Sequence, residues 1–91
     1  MCAISGCIGL PMEEATIEAM LQTMARRGPD GRGCYKTGAC TLLHTRIDPQ
    51  GGVQPMKCGW AGENYAITYN GELYNTAETR NALEKLGHAV C

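Results

Sequence analysis

Glycine and proline cut this chain into short pieces, and that punctuation limits its fold more than any other feature. Twelve Gly and four Pro fall within 91 residues. Leu10-Pro11, Gly28-Pro29, Lys36-Thr37-Gly38, the stretch from Asp48 to Pro55, Asn70-Gly71 and Gly87 each interrupt regular structure. The pieces between them carry different periods. Cys2 to Gly9 is small and apolar without a charge, and reads as a buried strand. Glu13 to Arg27 places Ile17, Met20, Leu21 and Met24 at helical spacing. Acidic Glu13 and Glu14 lead that helix and Arg26 and Arg27 close it, as the helix dipole favours.

The second half reads the same way. Cys34-Tyr35 and Ala39 to Arg46 are short strands about a turn, and Tyr65 to Tyr69 holds good strand formers. Asn70-Gly71 then predicts a hairpin whose return strand is Glu72-Leu73-Tyr74. Asn75 stands three residues before Glu78, an Asn version of the capping box, and the helix it opens runs to about Leu86. Ala82, Leu83 and Leu86 are expected inward, Arg80 and Glu84 form an i,i+4 pair, and Gly87 ends the helix. His88 to Cys91 reads as the start of another strand. Strand, helix, several strands, helix is an α+β pattern with a mainly antiparallel sheet.

Composition excludes several classes. Hydrophobic residues make up 44% and charged ones 19%, which is globular. A chain this short buries only about 60% of its unfolded surface and is one domain at most. The net charge of −1 argues against nucleic acid as a partner. No run approaches a membrane span and no secretory signal opens the chain, so a cytoplasmic protein with no membrane partner is expected. The six Cys include no C-x-x-C pair, and with His44 and His88 they do not make up a tight set of zinc ligands. They are expected to be free thiols acting as small hydrophobes, with no metal bound.

Cys2 is the exception. Removal of Met1 would leave its thiol beside its own α-amine. The reference pKa of that amine, about 7.7–8.0, suits a general base. The pair is then a self-contained nucleophile; the alternative is an ordinary buried Cys. Arg46, at the end of a strand, has the planar fork that clamps a carboxylate, or is a surface Arg. His44 reads as strand-end packing more readily than as a catalytic group. Asn70 and Gly71 offer an amide side chain and a bare N–H to an oxyanion, or simply make a type I′ turn. Glu72 can bind an ammonium group or stay solvated.

Five blocks in order give these residues a common meaning. They are Met1-Cys2-Ala3-Ile4-Ser5-Gly6, Arg27-Gly28-Pro29-Asp30-Gly31, His44-Thr45-Arg46, Gly51-Gly52-Val53-Gln54-Pro55-Met56, and Tyr69-Asn70-Gly71-Glu72-Leu73-Tyr74-Asn75. Together they resemble the class II glutamine amidotransferase domain, of the N-terminal nucleophile hydrolase type, over essentially the whole chain. The Arg-Gly-Pro-Asp and Tyr-Asn-Gly-Glu-Leu-Tyr-Asn blocks look like glutamine-hydrolysing asparagine synthetases. The resemblance implies an αββα sandwich, of which residues 1–91 would form about half. It implies that Cys2 forms a glutamyl thioester while its α-amine moves the proton. Asn70 and Gly71 would form the oxyanion hole, and Arg46, Asn70 and Glu72 would bind glutamine. No cofactor is implied for this chain.

ATP and Mg²⁺ would serve an absent synthetase domain, which uses the ammonia to amidate aspartate. Ala3 stands where the family usually has Gly, and Ile47-Asp48-Pro49 follows Arg46 sooner than usual. The Ser-Asp-Thr/Cys-Glu-like block is expected beyond this chain. Alone, such a piece is expected to be poorly stable and to lack useful glutaminase activity. The alternatives are the glutaminase domain of another amidotransferase and a non-catalytic degenerate remnant.

Overall fold

The computed structural model describes residues 2–48 and 52–88. Its elements in chain order are β1 (Ala3–Ile8), α1 (Glu14–Met24), β2 (Gly31–Lys36), β3 (Cys40–Arg46), β4 (Met56–Trp60), β5 (Glu63–Ile67) and α2 (Thr76–Lys85). β1, β3 and β2 form a three-stranded sheet in that order, and β4 and β5 form a second sheet of two strands. All pairings between named strands are antiparallel. Two sheets and two helices give the mixed architecture that the sequence pattern predicts.

β3 is the centre of the first sheet. Its register with β1 sets Ala3 opposite Thr45 and Ser5 opposite Leu43; its register with β2 sets Cys34 opposite Leu43. Because successive side chains point to opposite faces, Ser5, Leu43 and Cys34 share one face, and Ile4, His44 and Gly33 share the other. α1 covers the first face. Ile17 and Leu21 bury against Leu43, with Met12, Met20 and Met24 packed around them. The Thr45 hydroxyl donates at 3.1 Å to the Met24 carbonyl, which also accepts the Arg27 N–H at 3.1 Å, so the helix end is tied to β3. Glu18 clasps Arg32 at 2.7 Å across the edge of this layer, and Glu14 reaches Lys36 at 3.4 Å.

Several expectations need correction. β1 is not buried on both sides: its exposure alternates, with Ala3, Ser5 and Cys7 inward and Ile4 and Ile8 outward. α1 stops at Met24, so Arg26 and Arg27 lie past its last turn. Asn70-Gly71 makes no hairpin, because Glu72 to Tyr74 forms no strand. The hairpin lies earlier, between β4 and β5, where Trp60 pairs with Glu63 around Ala61-Gly62. Both turn residues have positive φ, 52° and 79°, which is the type I′ requirement. An Ala in this role gave the sequence reading no hairpin signal.

α2 begins at Asn75 without a side-chain cap; instead the Thr76 hydroxyl donates to Leu73 O at 2.7 Å. None of its residues is buried, and Leu83 and Leu86 are 38% and 75% exposed. Arg80 and Glu84 form no ion pair among the described residues. Its end is as predicted. Gly87 has φ 88°, its N–H donates to Glu84 O at 3.0 Å, and His88 N–H donates to Leu83 O at 3.0 Å. These two bonds are the Schellman pattern. The strand expected at His88 to Cys91 falls largely outside the described residues.

Cys2, Cys7, Cys34 and Cys40 are free thiols as expected. Cys58 is not: it is disulfide-bonded, so free thiols no longer argue uniformly for a reducing compartment. No helix among the described residues is long and apolar enough to cross a membrane.

The left-handed Ala61 supplies a test. An alanine there carries roughly 1–2 kcal/mol of steric cost that Asn largely avoids. Ala61→Asn is therefore expected to raise the urea midpoint by the equivalent of about 1 kcal/mol. An unchanged or lower midpoint would contradict the turn.

Candidate functional site

The pleat that sends Leu43 towards α1 sends its neighbours the other way. His44 and Arg46 project from the far end of β3 onto the face away from α1. Ile4 pairs with His44 and Ala3 with Thr45, so Cys2 comes off the start of β1 beside Arg46 and on the same face. Across from them runs the segment that follows β5. The result is a cleft of about 470 Å³ lined by Cys2, His44, Arg46, Ile47, Asp48, Gly52, Gln54, Tyr69, Asn70, Gly71 and Glu72. The five residues singled out by sequence, Cys2, Arg46, Asn70, Gly71 and Glu72, all line this one cleft. They come from three separate parts of the chain.

Polar anchors rather than a strand ladder hold the Asn70 segment. Thr68 Oγ1 lies 2.9 Å from His44 Nδ1, and its hydroxyl donates to Leu43 O at 3.4 Å. With that proton so used, the hydroxyl accepts from Nδ1–H, a tautomer assigned from the hydrogen-bond network. One residue on, Tyr69 N–H donates to Gln54 Oε1 at 2.8 Å. The Tyr69 ring folds back over Gly71, where a Cβ would meet Tyr69 Oη at 2.8 Å, and its hydroxyl donates to Glu72 O at 3.4 Å. Residues 69–72 thus form a compact loop pinned at its entry to β3 and to the loop before β4.

Cleft chemistry is mixed in sign. One guanidinium, Arg46, stands with the carboxylates of Asp48 and Glu72, a set that complements an α-amino acid with both head groups ionised. The cleft also holds a free thiol, Cys2, and two side-chain amides, Gln54 and Asn70. No group of three or more His, Cys, Asp or Glu among the described residues could hold a metal. The larger apolar groove, bordered by Val53, Met56, Tyr65 and Ile67, lies apart from these groups.

Among the cleft residues to which the sequence reading gave no functional role, two anchor the Asn70 segment. Gln54 sits in a Gly/Pro-rich loop, and only the fold shows that its amide reaches Tyr69. His44 does pack, being 2% exposed, but it also borders the cleft and anchors Thr68. A buried His next to an Arg two residues on was the available signal.

With this geometry in place, comparison with known proteins identifies the class. A profile described as "Glutamine amidotransferase domain" matches residues 1–91, and the chain belongs to that family. Its relatives include asparagine synthetase [glutamine-hydrolyzing] 3 of Bacillus subtilis, 39% identical over 95 residues, covering 97% of this chain and 16% of that protein. The asparagine synthetases [glutamine-hydrolyzing] of Triphysaria versicolor and Brassica oleracea are each 33% identical, over 91% and 92% of the chain and 15% of their own length. The chain therefore spans about a sixth of the curated relatives it matches.

Burial first, and then the charge of Arg46, hold the His44 imidazole below its ordinary value of 6.5. The folded chain thus favours the neutral ring. As pH falls below about 6.5 the unfolded chain takes up a proton that the folded chain resists, so stability is full above that value and declines through the lower folded one. The urea midpoint is expected to drop between about pH 7.5 and pH 5.5, and His44→Gln to flatten that drop. An equal drop in the variant would assign the slope to other groups.

Proposed function

We propose that this chain is the glutaminase unit of an asparagine synthetase-type enzyme. The observation that carries the reading is the convergence of Cys2, Arg46, Asn70, Gly71 and Glu72 on one cleft. The mechanism follows from their chemistry, once Met1 is removed. Arg46 holds the α-carboxylate of glutamine through two parallel hydrogen bonds, and Glu72 receives the ammonium end. The Cys2 α-amine takes the thiol proton, and sulfur attacks the side-chain carboxamide carbon. The Asn70 amide and the Gly71 N–H donate to the oxyanion that forms. Collapse breaks the C–N bond, the α-ammonium returns a proton to the leaving nitrogen, and ammonia departs from a glutamyl thioester. Water, deprotonated by the same amine, then cleaves the thioester to glutamate and regenerates the thiol.

In this reading the fold is completed as an αββα sandwich by further chain. Support comes from the exposed apolar residues Ile8, Met56 and Ile67 on the strands, Val53 in the loop before β4 and Leu86 at the end of α2. The buried hydrophobic core among the described residues is only Ile17, Leu21 and Leu43. Residues 1–91 alone are then weakly stable and release little ammonia from glutamine. Amidation of aspartate with ATP and Mg²⁺ belongs to a synthetase domain of the parent enzyme.

The test uses the full-length protein. Cys2→Ser is expected to lower glutamine-dependent ammonia release on the order of 10³-fold or more, as nucleophile removal does elsewhere, while synthesis from added ammonia persists. Intact mass of the native protein should show Cys2 as the first residue. Retention of Met1 in an active enzyme, or full glutaminase activity in the variant, would end this reading.

A further inference from the structure

The Arg27-Gly28-Pro29-Asp30-Gly31 block has no part in the chemistry above, yet four of its residues register on the end of β3. Gly28 is buried with its Cα against the Thr45–Arg46 peptide, where a Cβ would stand 2.5 Å from Arg46 N and 2.6 Å from Thr45 O. Pro29 forms an isolated parallel bridge with Arg46. Asp30 N–H donates to Arg46 O at 2.9 Å. Gly31 pairs directly with Arg46 in the β2–β3 ladder. Its Cα lies under the guanidinium: a Cβ there would come within 2.5 Å of Nε, 2.8 Å of Cζ and 3.0 Å of Nη2.

These contacts divide the block in two. Gly28, Pro29 and Asp30 fix the backbone of Arg46. Gly31 pairs with that backbone too, and in addition lies against the guanidinium end of the side chain. We propose that Gly31 is a positioning residue for the carboxylate clamp, its bare Cα forming the shelf that sets where the Arg46 guanidinium meets the α-carboxylate of the substrate. The inference rests on the glutaminase reading and adds to it a determinant of substrate affinity outside the cleft lining.

The physical basis is the geometry of a bidentate pair. Two parallel hydrogen bonds tolerate little tilt or displacement, so a methyl group beneath the guanidinium disturbs both together. Gly31 is not among the glycines with positive φ, so its backbone accepts Ala without strain. The atoms in the way are the mobile end of a long side chain, which moves more readily than the peptide above Gly28.

The experiment is inactivation of the full-length protein by 6-diazo-5-oxo-L-norleucine, a glutamine analogue that keeps the α-carboxylate and alkylates a nucleophilic thiol, with adduct formation on Cys2 followed by mass. Gly31→Ala is expected to raise the half-saturating concentration about tenfold and to leave the limiting rate within about twofold, the signature of lost binding without lost chemistry. Alkylation of Cys2 by iodoacetamide, which carries no carboxylate, should match the native protein. Adding Gly31→Ala to Arg46→Lys should cost nothing further, because both act through one clamp. Equal half-saturation in Gly31→Ala and native protein, additive losses in the double variant, or a lost melting transition in Gly31→Ala would each overturn the proposal. A native protein that the analogue never labels would instead remove the glutaminase reading on which it rests.

Discussion

The antiparallel pairing of β3 with strands on both sides is the constraint on which the other parts depend. It fixes a register in which alternate residues serve different ends. Leu43 and Thr45 face α1, where one fills the core and the other closes the helix end. His44 and Arg46 face the cleft. A slip of one residue would exchange these sets, placing an imidazole and a guanidinium against Ile17 and Leu21 and a leucine in the cleft. Core packing and site geometry are therefore enforced by the same ladder. The small apolar cluster also acts on the site, because it locks the register that aims Arg46.

Polar groups take over where the ladder ends. Residues 68–72 leave β5 without entering another strand, and their position depends on His44, Gln54 and the carbonyl of Leu43. Paired strand residues spend their N–H groups on neighbours, whereas a loop held by side chains leaves its backbone groups free of a ladder, and Asn70, Gly71 and Glu72 line the cleft from such a loop. It also explains why Asn70-Gly71, so strong a local hairpin signal, does not fold into one. The residues after it are not used as a strand, and Tyr69 closes the loop onto Glu72 instead.

Much of this was legible from sequence. Helical spacing identified Ile17 and Leu21 as core, where local pattern and tertiary packing agree, and C-cap chemistry identified Gly87 as the helix stop, where local geometry alone decides. The ordered motif blocks brought together Cys2, Arg46, Asn70, Gly71 and Glu72, which the fold gathers into one cleft. What failed did so for physical reasons. The β4–β5 turn uses Ala61 in a conformation Ala rarely adopts, so no local chemistry announced it. The inward face assigned to α2 assumed a partner layer that the described residues do not contain. Gln54 escaped notice because its role is a contact across fifteen positions, from a loop to Tyr69 N. The disulfide at Cys58 escaped for a related reason, since spacing along the chain carries no information about sulfur proximity in space.

Gly33 seats the loop before β4 on the first sheet in a way that reaches the cleft. The Gln54 carbonyl rests directly on its Cα, in space that any side chain at position 33 would occupy. The amide of the same Gln54 holds Tyr69, the residue before Asn70. One loop residue is thus seated on β2 by its main chain while its side chain holds the segment that carries Asn70 into the cleft. Its backbone is the fulcrum and its side chain the arm, so bulk added beneath it would be transmitted across the molecule as a tilt of the Asn70 amide.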